Sequence, residues 1–145
     1  MEQPAIAILD SNSIMTVATL RRDGWPQATM VGYRNQGFRL YFLISRTSRK
    51  FSNIVQEPWA AVTVAHEPAE PRQIKAVFAG CEVHEVKDPS ERDLAWSLLS
   101  TCHPNLAELA PPDEDDIAVM AADRRHLSVL DYSHAIGHRE SFSLN

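Results

Sequence analysis

The chain is short of several things that would fix a class at once. Among its 145 residues are only two cysteines, Cys81 and Cys102, at no metal-ligand spacing to each other. That leaves no disulfide framework and fits a reduced, cytoplasmic setting. No run of eighteen apolar residues is present, so no membrane-spanning helix is expected. The opening MEQPAIAILDSNS has early acids and no basic start, unlike a signal peptide. Basic residues are in deficit: Lys and Arg number 14 against 19 Asp and Glu, a net charge of -5, which speaks against general nucleic-acid binding. Glycine-dependent signatures are missing too, with no Walker loop, dinucleotide fingerprint or nucleophile elbow. Neither a repeat nor a linker divides the chain. A single domain over 1–145 is expected, with 44% hydrophobic residues to build its core.

What is there is strand-rich. EQPAIAIL reads as a short helix, stopped by the turn-forming Asp10-Ser11-Asn12. IMTVATL (14–20), QATMVGY (27–33) and FRLYFLI (38–44) are runs of β-formers separated by the turns RRDGWP and RNQG, which predicts an antiparallel meander. Both faces of the first two strands are apolar or small, so one face should meet the core and the other a partner or ligand. WAAVTVAH (59–66) resumes strand character, and IKAVFAGCEVHEV (74–86) comes after the EPAEP loop, with Gly80 marking a bulge or bend. The next helix has the clearest start in the chain. Asp88 is its N-cap, Pro89 its N1 and Glu91 its N3, with Leu94, Leu98 and Cys102 beyond them at i, i+4 and i+8. His103-Pro104 ends it. After the acidic turn PPDEDD, IAVMAAD (117–123) and RHLSVLDY (125–132) read as a closing hairpin. The whole predicts one antiparallel sheet interrupted by helices and curled into a small barrel.

The segment SRTSRKFSNIVQEP (45–58) concentrates cations and hydroxyls where a strand gives way to a helix. Free N–H groups and the positive end of the helix dipole collect at such a start. Ser45, Thr47 and Ser48 can donate hydroxyl hydrogen bonds, and Arg49, Lys50 and Arg46 add charge. Cations in a first helical turn are locally unfavourable, and a bound phosphate would resolve that. A capped surface helix whose basic residues face water is the other reading.

The remaining polar candidates are weaker. Cys81 and His84 have C-x-x-H spacing, but on one strand they point to opposite faces, so no metal site is expected. His134 and His138 are spaced i, i+4 in a glycine-containing tail. Trp25, Trp59 and Trp96 suit cores or interfaces better than chemistry.

The order of these elements, and the phrase TSRKFSNIVQEPWAAVTV in particular, resembles the pyridoxamine 5'-phosphate oxidase-like superfamily of FMN-binding split β-barrels. Ser48-Arg49-Lys50, Glu57-Pro58 and the WAAVTV run after them match it in spacing and character. The resemblance covers about residues 5–132, and the tail LDYSHAIGHRESF further resembles short general-stress-type members. It implies a mainly β fold with peripheral helices, an antiparallel split β-barrel, and a homodimer with FMN at the subunit interface. Arg49 and Lys50 would hold the FMN phosphate, assisted by Thr47 and Ser48. Thr29, Met30, Val31, Leu43, Ile44 and Ser45 would line the isoalloxazine ring and ribityl chain, and Lys75 would make a polar flavin contact. The implied activity is that of an FMN-dependent oxidoreductase acting on a small molecule, with NADH or NADPH as candidate electron donors. No side chain stands out as a catalytic acid or base, which suits hydride transfer directly to or from the flavin. Some relatives bind haem or a deazaflavin instead, and His134 and His138 would then be the candidate haem ligands. True pyridoxamine phosphate oxidases open their second strand with an arginine on the FMN phosphate and carry a longer, arginine-rich C-terminal part. Here Ala28 stands at that position, with Arg34 or Lys75 as substitutes, and Arg139 is the last basic residue. The expectation is therefore a flavoprotein that is not a true pyridoxamine phosphate oxidase.

Overall fold

A computed structural model describes residues 3–65, 70–107, 113–133, 135 and 137–143. The element order is α1 (Gln3–Asp10), β1 (Ile14–Leu20), β2 (Pro26–Gly32), β3 (Arg34–Gln36), β4 (Arg39–Ser45), α2 (Arg49–Gln56) and β5 (Trp59–Ala65). A 3₁₀ turn (Pro71–Gln73) leads to β6 (Lys75–Glu85), α3 (Pro89–Cys102), α4 (Pro104–Ala107), β7 (Ile117–Asp131) and β8 (Arg139–Ser143). The strands form one antiparallel sheet in the order β2-β1-β5-β6-β7-β4-β3, with β8 also paired to β7. Curling of this sheet produces the mainly β, split-barrel fold that the sequence predicts.

Alternation along the strands divides the side chains between an inner and an outer face. Met15 and Val17 of β1, Phe42 and Ile44 of β4, Val62 and Val64 of β5 and Val77 of β6 are almost fully buried in one core. Helix α1 adds Ala5, Ile8 and Leu9 to it. Tyr33, fully buried, joins β2 to β3 and donates its hydroxyl to the Leu9 carbonyl at 2.7 Å. A second, smaller core lies on the opposite face of β4 and β7, where Tyr41, Val119 and Ala121 pack under Ala95 and Leu99 of α3. Helix α3 starts as predicted: the Asp88 carboxylate accepts from the Glu91 N–H at 3.0 Å, and Pro89 occupies the first turn. Glu91 then ties the helix to the sheet, accepting from Arg39 at 2.6 Å and from the Tyr41 hydroxyl at 2.8 Å.

Three expectations need correction. RNQG is not a turn alone, because Arg34–Gln36 pairs with β4 as the short edge strand β3. The closing hairpin is instead one fifteen-residue strand, β7, with β4 along its first half and β8 along its second. The α3 face that enters the core is Ala95 and Leu99, whereas Leu94 stays exposed. The predicted irregularity at Gly80 is present: Gly80 pairs with His126 but Cys81 pairs with Arg124, leaving Arg125 as an extra residue on β7. That bulge makes Arg125 and His126 consecutive exposed residues, where regular alternation would bury one of them.

Candidate functional site

The helix start after β4 is built by its own hydroxyls. Ser48 is the N-cap of α2: its Oγ accepts from the Phe51 N–H at 3.1 Å and donates to the Ser45 carbonyl at 2.7 Å. Ser45 and Thr47 share a hydroxyl hydrogen bond of 2.9 Å. The three cations beside them have different fates. Arg46 is consumed locally, because its guanidinium grips Glu85 through two hydrogen bonds of 2.8 and 2.6 Å and stacks over the Phe51 ring. The Arg46 bond holds the Glu85 carboxyl below the usual carboxylate range. Arg49 and Lys50 have no ion pair among the described residues. Lys50 is half-buried, and that burial holds its ammonium below the usual lysine range.

Arg49 faces a hollow of about 400 Å³ that it shares with Arg21, Arg22, Asp23, Ser52 and Asn53. Arg21 is paired with Asp23 at 2.8 Å, and Arg22 donates to the Gln56 side chain at 3.1 Å. Three guanidiniums therefore line this hollow against one carboxylate. Asn53 fixes its wall, since its buried amide donates to Thr19 Oγ1 at 3.0 Å and to Gln27 Oε1 at 3.1 Å. An excess of guanidinium charge next to the first turn of α2 is the chemistry that receives a phosphate.

The other predicted contacts are spread over both faces of the sheet. On β2, Met30 is 72% exposed on the outer face, while Val31 packs against the core. Thr29 is half-buried, and its Oγ1 is a buried polar atom without a partner among the described residues. On β4, Ile44 belongs to the main core and Leu43 packs against the smaller core under α3. Lys75 is exposed at the start of β6 and does not line the hollow around Arg49. Cys81 is buried, which pushes its thiol up to about 12, while His84 is exposed and lies 3.8 Å from Asp123. The two share no ligand geometry. His138 is 3.4 Å from Glu140, and His134 lies outside the described residues.

Sequence reasoning missed two features. Arg21 and Arg22 read only as part of a turn, although two adjacent arginines opposite S-R-K would have been the signal. The second is a groove of about 560 Å³ on the outer face of the sheet, lined among others by Leu20, Pro26, Trp59, Ala61, Gly80 and His126. No residue lines both features, and they meet at the β1–β2 hairpin, where Leu20 faces the groove and Arg21 the hollow.

The hollow fits a phosphate-bearing flavin through its guanidinium excess, and neither Lys50 nor Thr29 lines it. Comparison with known proteins places this geometry in a family. The chain superimposes on a haem binding protein from Mycobacterium smegmatis with a TM-score of 0.83 and 20% identity, over 97% of this chain but 56% of that protein's length. It superimposes on general stress protein 26 from Bacillus anthracis with a TM-score of 0.74 and 16% identity, over 99% of this chain and 100% of the other. A pyridoxamine 5'-phosphate oxidase-related, FMN binding protein from Nostoc punctiforme gives a TM-score of 0.70 and 17% identity, over 99% and 97% of the two chains. These identities establish the shared fold. No curated protein sequence matches. The family model for pyridoxamine 5'-phosphate oxidase matches residues 1–128, and the chain belongs to that family.

Proposed function

We propose that the protein is an FMN-binding flavoprotein that works as an oxidoreductase on a small molecule, in the cytoplasm and as a homodimer. The single observation that carries this reading is the hollow in which Arg49, Arg21 and Arg22 face one carboxylate, with the half-buried Lys50, without an ion pair among the described residues, next in sequence. A dianionic phosphate offsets that excess charge and accepts N–H groups from the first turn of α2. Arg49 and Lys50 would hold the phosphate, and the Thr29 hydroxyl, without a partner among the described residues, would take a polar atom of the cofactor. FMN, when bound, supplies the hydride-accepting chemistry. The chain's part is to bind and orient it and to keep water from its ring. With Ala28 in place of the second-strand arginine, the reaction is not pyridoxamine 5'-phosphate oxidation, and Arg21 and Arg22 are better placed than Arg34 or Lys75 to make up the lost charge.

The homodimer reading is supported by the outer face of β2, β1, β5 and β6, which no helix among the described residues covers. Met30, Leu20, Trp59 and Phe78 stand exposed there, and Trp25 is 69% exposed in the adjoining turn. Such a patch suits a subunit contact. The cytoplasmic reading draws on the two free cysteines, and no helix among the described residues is long and apolar enough to cross a membrane. Purified protein should be yellow, release FMN on denaturation and oxidise NADH or NADPH with an added acceptor. Colourless protein that takes up no added FMN would overturn the proposal.

A further inference from the structure

The seam between α2 and the β1–β2 hairpin is tied by amides. Arg49, Asn53 and Gln56 are spaced i, i+4 and i+7, which puts them on one face of α2. Asn53 is 4% exposed and Thr19, which it meets, 3%. Thr19 and Gln27 stand directly opposite each other in the hairpin, and the Asn53 amide donates to both side chains. One buried side chain therefore ties the helix to both strands at a single register position. Burying an amide costs free energy unless it is bonded, and a bonded one fixes a single arrangement.

The hairpin tip carries this register outward to the hollow. The Arg21 N–H donates to the Trp25 carbonyl and the Gly24 N–H to the Arg21 carbonyl, both at 2.9 Å, with Gly24 at a φ of 87° that favours glycine. Asp23 is spent inside the tip: one carboxylate oxygen accepts from Arg21 and the other from the Trp25 N–H. Arg22 reaches across to α2 and donates to Gln56 Oε1 at 3.1 Å. That partner is neutral. Arg39, Arg46 and Arg125 are all held by carboxylates, which place a guanidinium and cancel its charge together. Gln56 places Arg22 and leaves its charge intact. With Asp23 set against Arg21, the hollow keeps the charges of Arg22 and Arg49, which match the roughly −1.5 to −2 of a phosphomonoester at pH 7.

We propose that Asn53 and Gln56 are positioning residues for a phosphate in this hollow. Asn53 sets the separation between Arg49 on the helix and the arginines of the hairpin, and Gln56 holds Arg22 at the hollow without neutralising it. A carboxylate at position 56 would make the stronger brace and the poorer anion site. The inference rests on the reading of the hollow as a phosphate site, and on the flavin reading where that phosphate is the one of FMN.

Gln56→Glu separates charge from structure. Its ion pair with Arg22 should leave the urea midpoint at or above wild type, while FMN affinity falls about tenfold and riboflavin affinity stays unchanged. Gln56→Ala should lower FMN affinity about threefold in the wild-type chain and not at all in an Arg22→Ala background, because the amide acts through that guanidinium. Asn53→Ala should shrink the preference for FMN over riboflavin; an equal loss for both flavins would reduce Asn53 to a structural role. Inorganic phosphate supplies a readout without flavin. It should raise the thermal midpoint of the wild-type chain above that in chloride of equal ionic strength, and should not do so for Gln56→Glu. That phosphate result beside equal binding of FMN and riboflavin would uphold the positioning role and overturn the flavin reading alone. A Gln56→Glu chain that matches wild type in both phosphate response and FMN affinity would overturn the proposal, as would a Gln56→Ala effect that persists without Arg22.

Discussion

The two halves of the outer sheet surface are treated oppositely. Over β4 and β7, helix α3 lies on Tyr41, Val119 and Ala121 and is locked there by Glu91, which takes bonds from Arg39 and Tyr41. Over β2, β1, β5 and β6 there is no helix among the described residues, and Met30, Leu20, Trp59 and Phe78 face outward. Apolar residues stand on that side in both halves, so their presence alone does not explain why one half is covered. The difference lies in where the connections run: the capped fourteen-residue helix that follows β6 lies over β4 and β7, whereas β1 turns at once into β2. A covered face contributes to the stability of the fold.

Substitutions on the two halves should therefore separate stability from binding. The largest loss of stability is expected in the covered half, where Leu99→Ala empties a fully buried position and should cost about 3 kcal/mol in urea unfolding. Trp59→Ala on the bare half should change monomer stability by less than about 0.5 kcal/mol yet weaken self-association. Equal costs at the two sites would erase the distinction. At the hairpin that borders the bare half, replacing Arg49 and Lys50 together by alanine should lower FMN affinity about 100-fold, while unfolding midpoints stay near wild type.

Arg46 belongs with the covered half despite its place in the same basic segment. Glu85→Gln breaks its paired hydrogen bonds and should cost about 2 kcal/mol with no effect on FMN affinity. The pH dependence comes from the same pair. The folded carboxyl titrates below its unfolded value of about 4.3, so this stability is fully present above that pH and is lost as pH falls through the lower folded value. Acid unfolding curves of wild type and Glu85→Gln should converge at low pH. Within the covered half the smallest effect is expected from Asp88→Ala, which removes only the α3 cap, about 1 kcal/mol.

Much of this arrangement was legible in the sequence because local chemistry dictated it. Asp88-Pro89 and Ser48 announce their helices through caps, and Gly80 signals the bulge because a side chain there has no room. The illegible parts are those where polar residues serve distant partners. The hairpin read over 117–123 and 125–132 breaks at Arg124, but Asp123 bonds Arg39 and Arg125 holds Glu82, so β7 runs straight through. The site was half legible for the same reason. The helix-start cations stand together in sequence, whereas Arg21 and Arg22 reach Arg49 only through the fold. His126 reaches the groove through a bulge whose extra residue sits on the strand opposite the signalling glycine.

The central claim, a cofactor phosphate seated among Arg49, Arg21 and Arg22, is tested most directly by titrating the protein with FMN and with riboflavin and recording flavin fluorescence. The two ligands share the ring and differ by the phosphate. FMN should bind at least about tenfold tighter than riboflavin, with the difference shrinking as salt is raised. Equal affinities for the two flavins would contradict the claim.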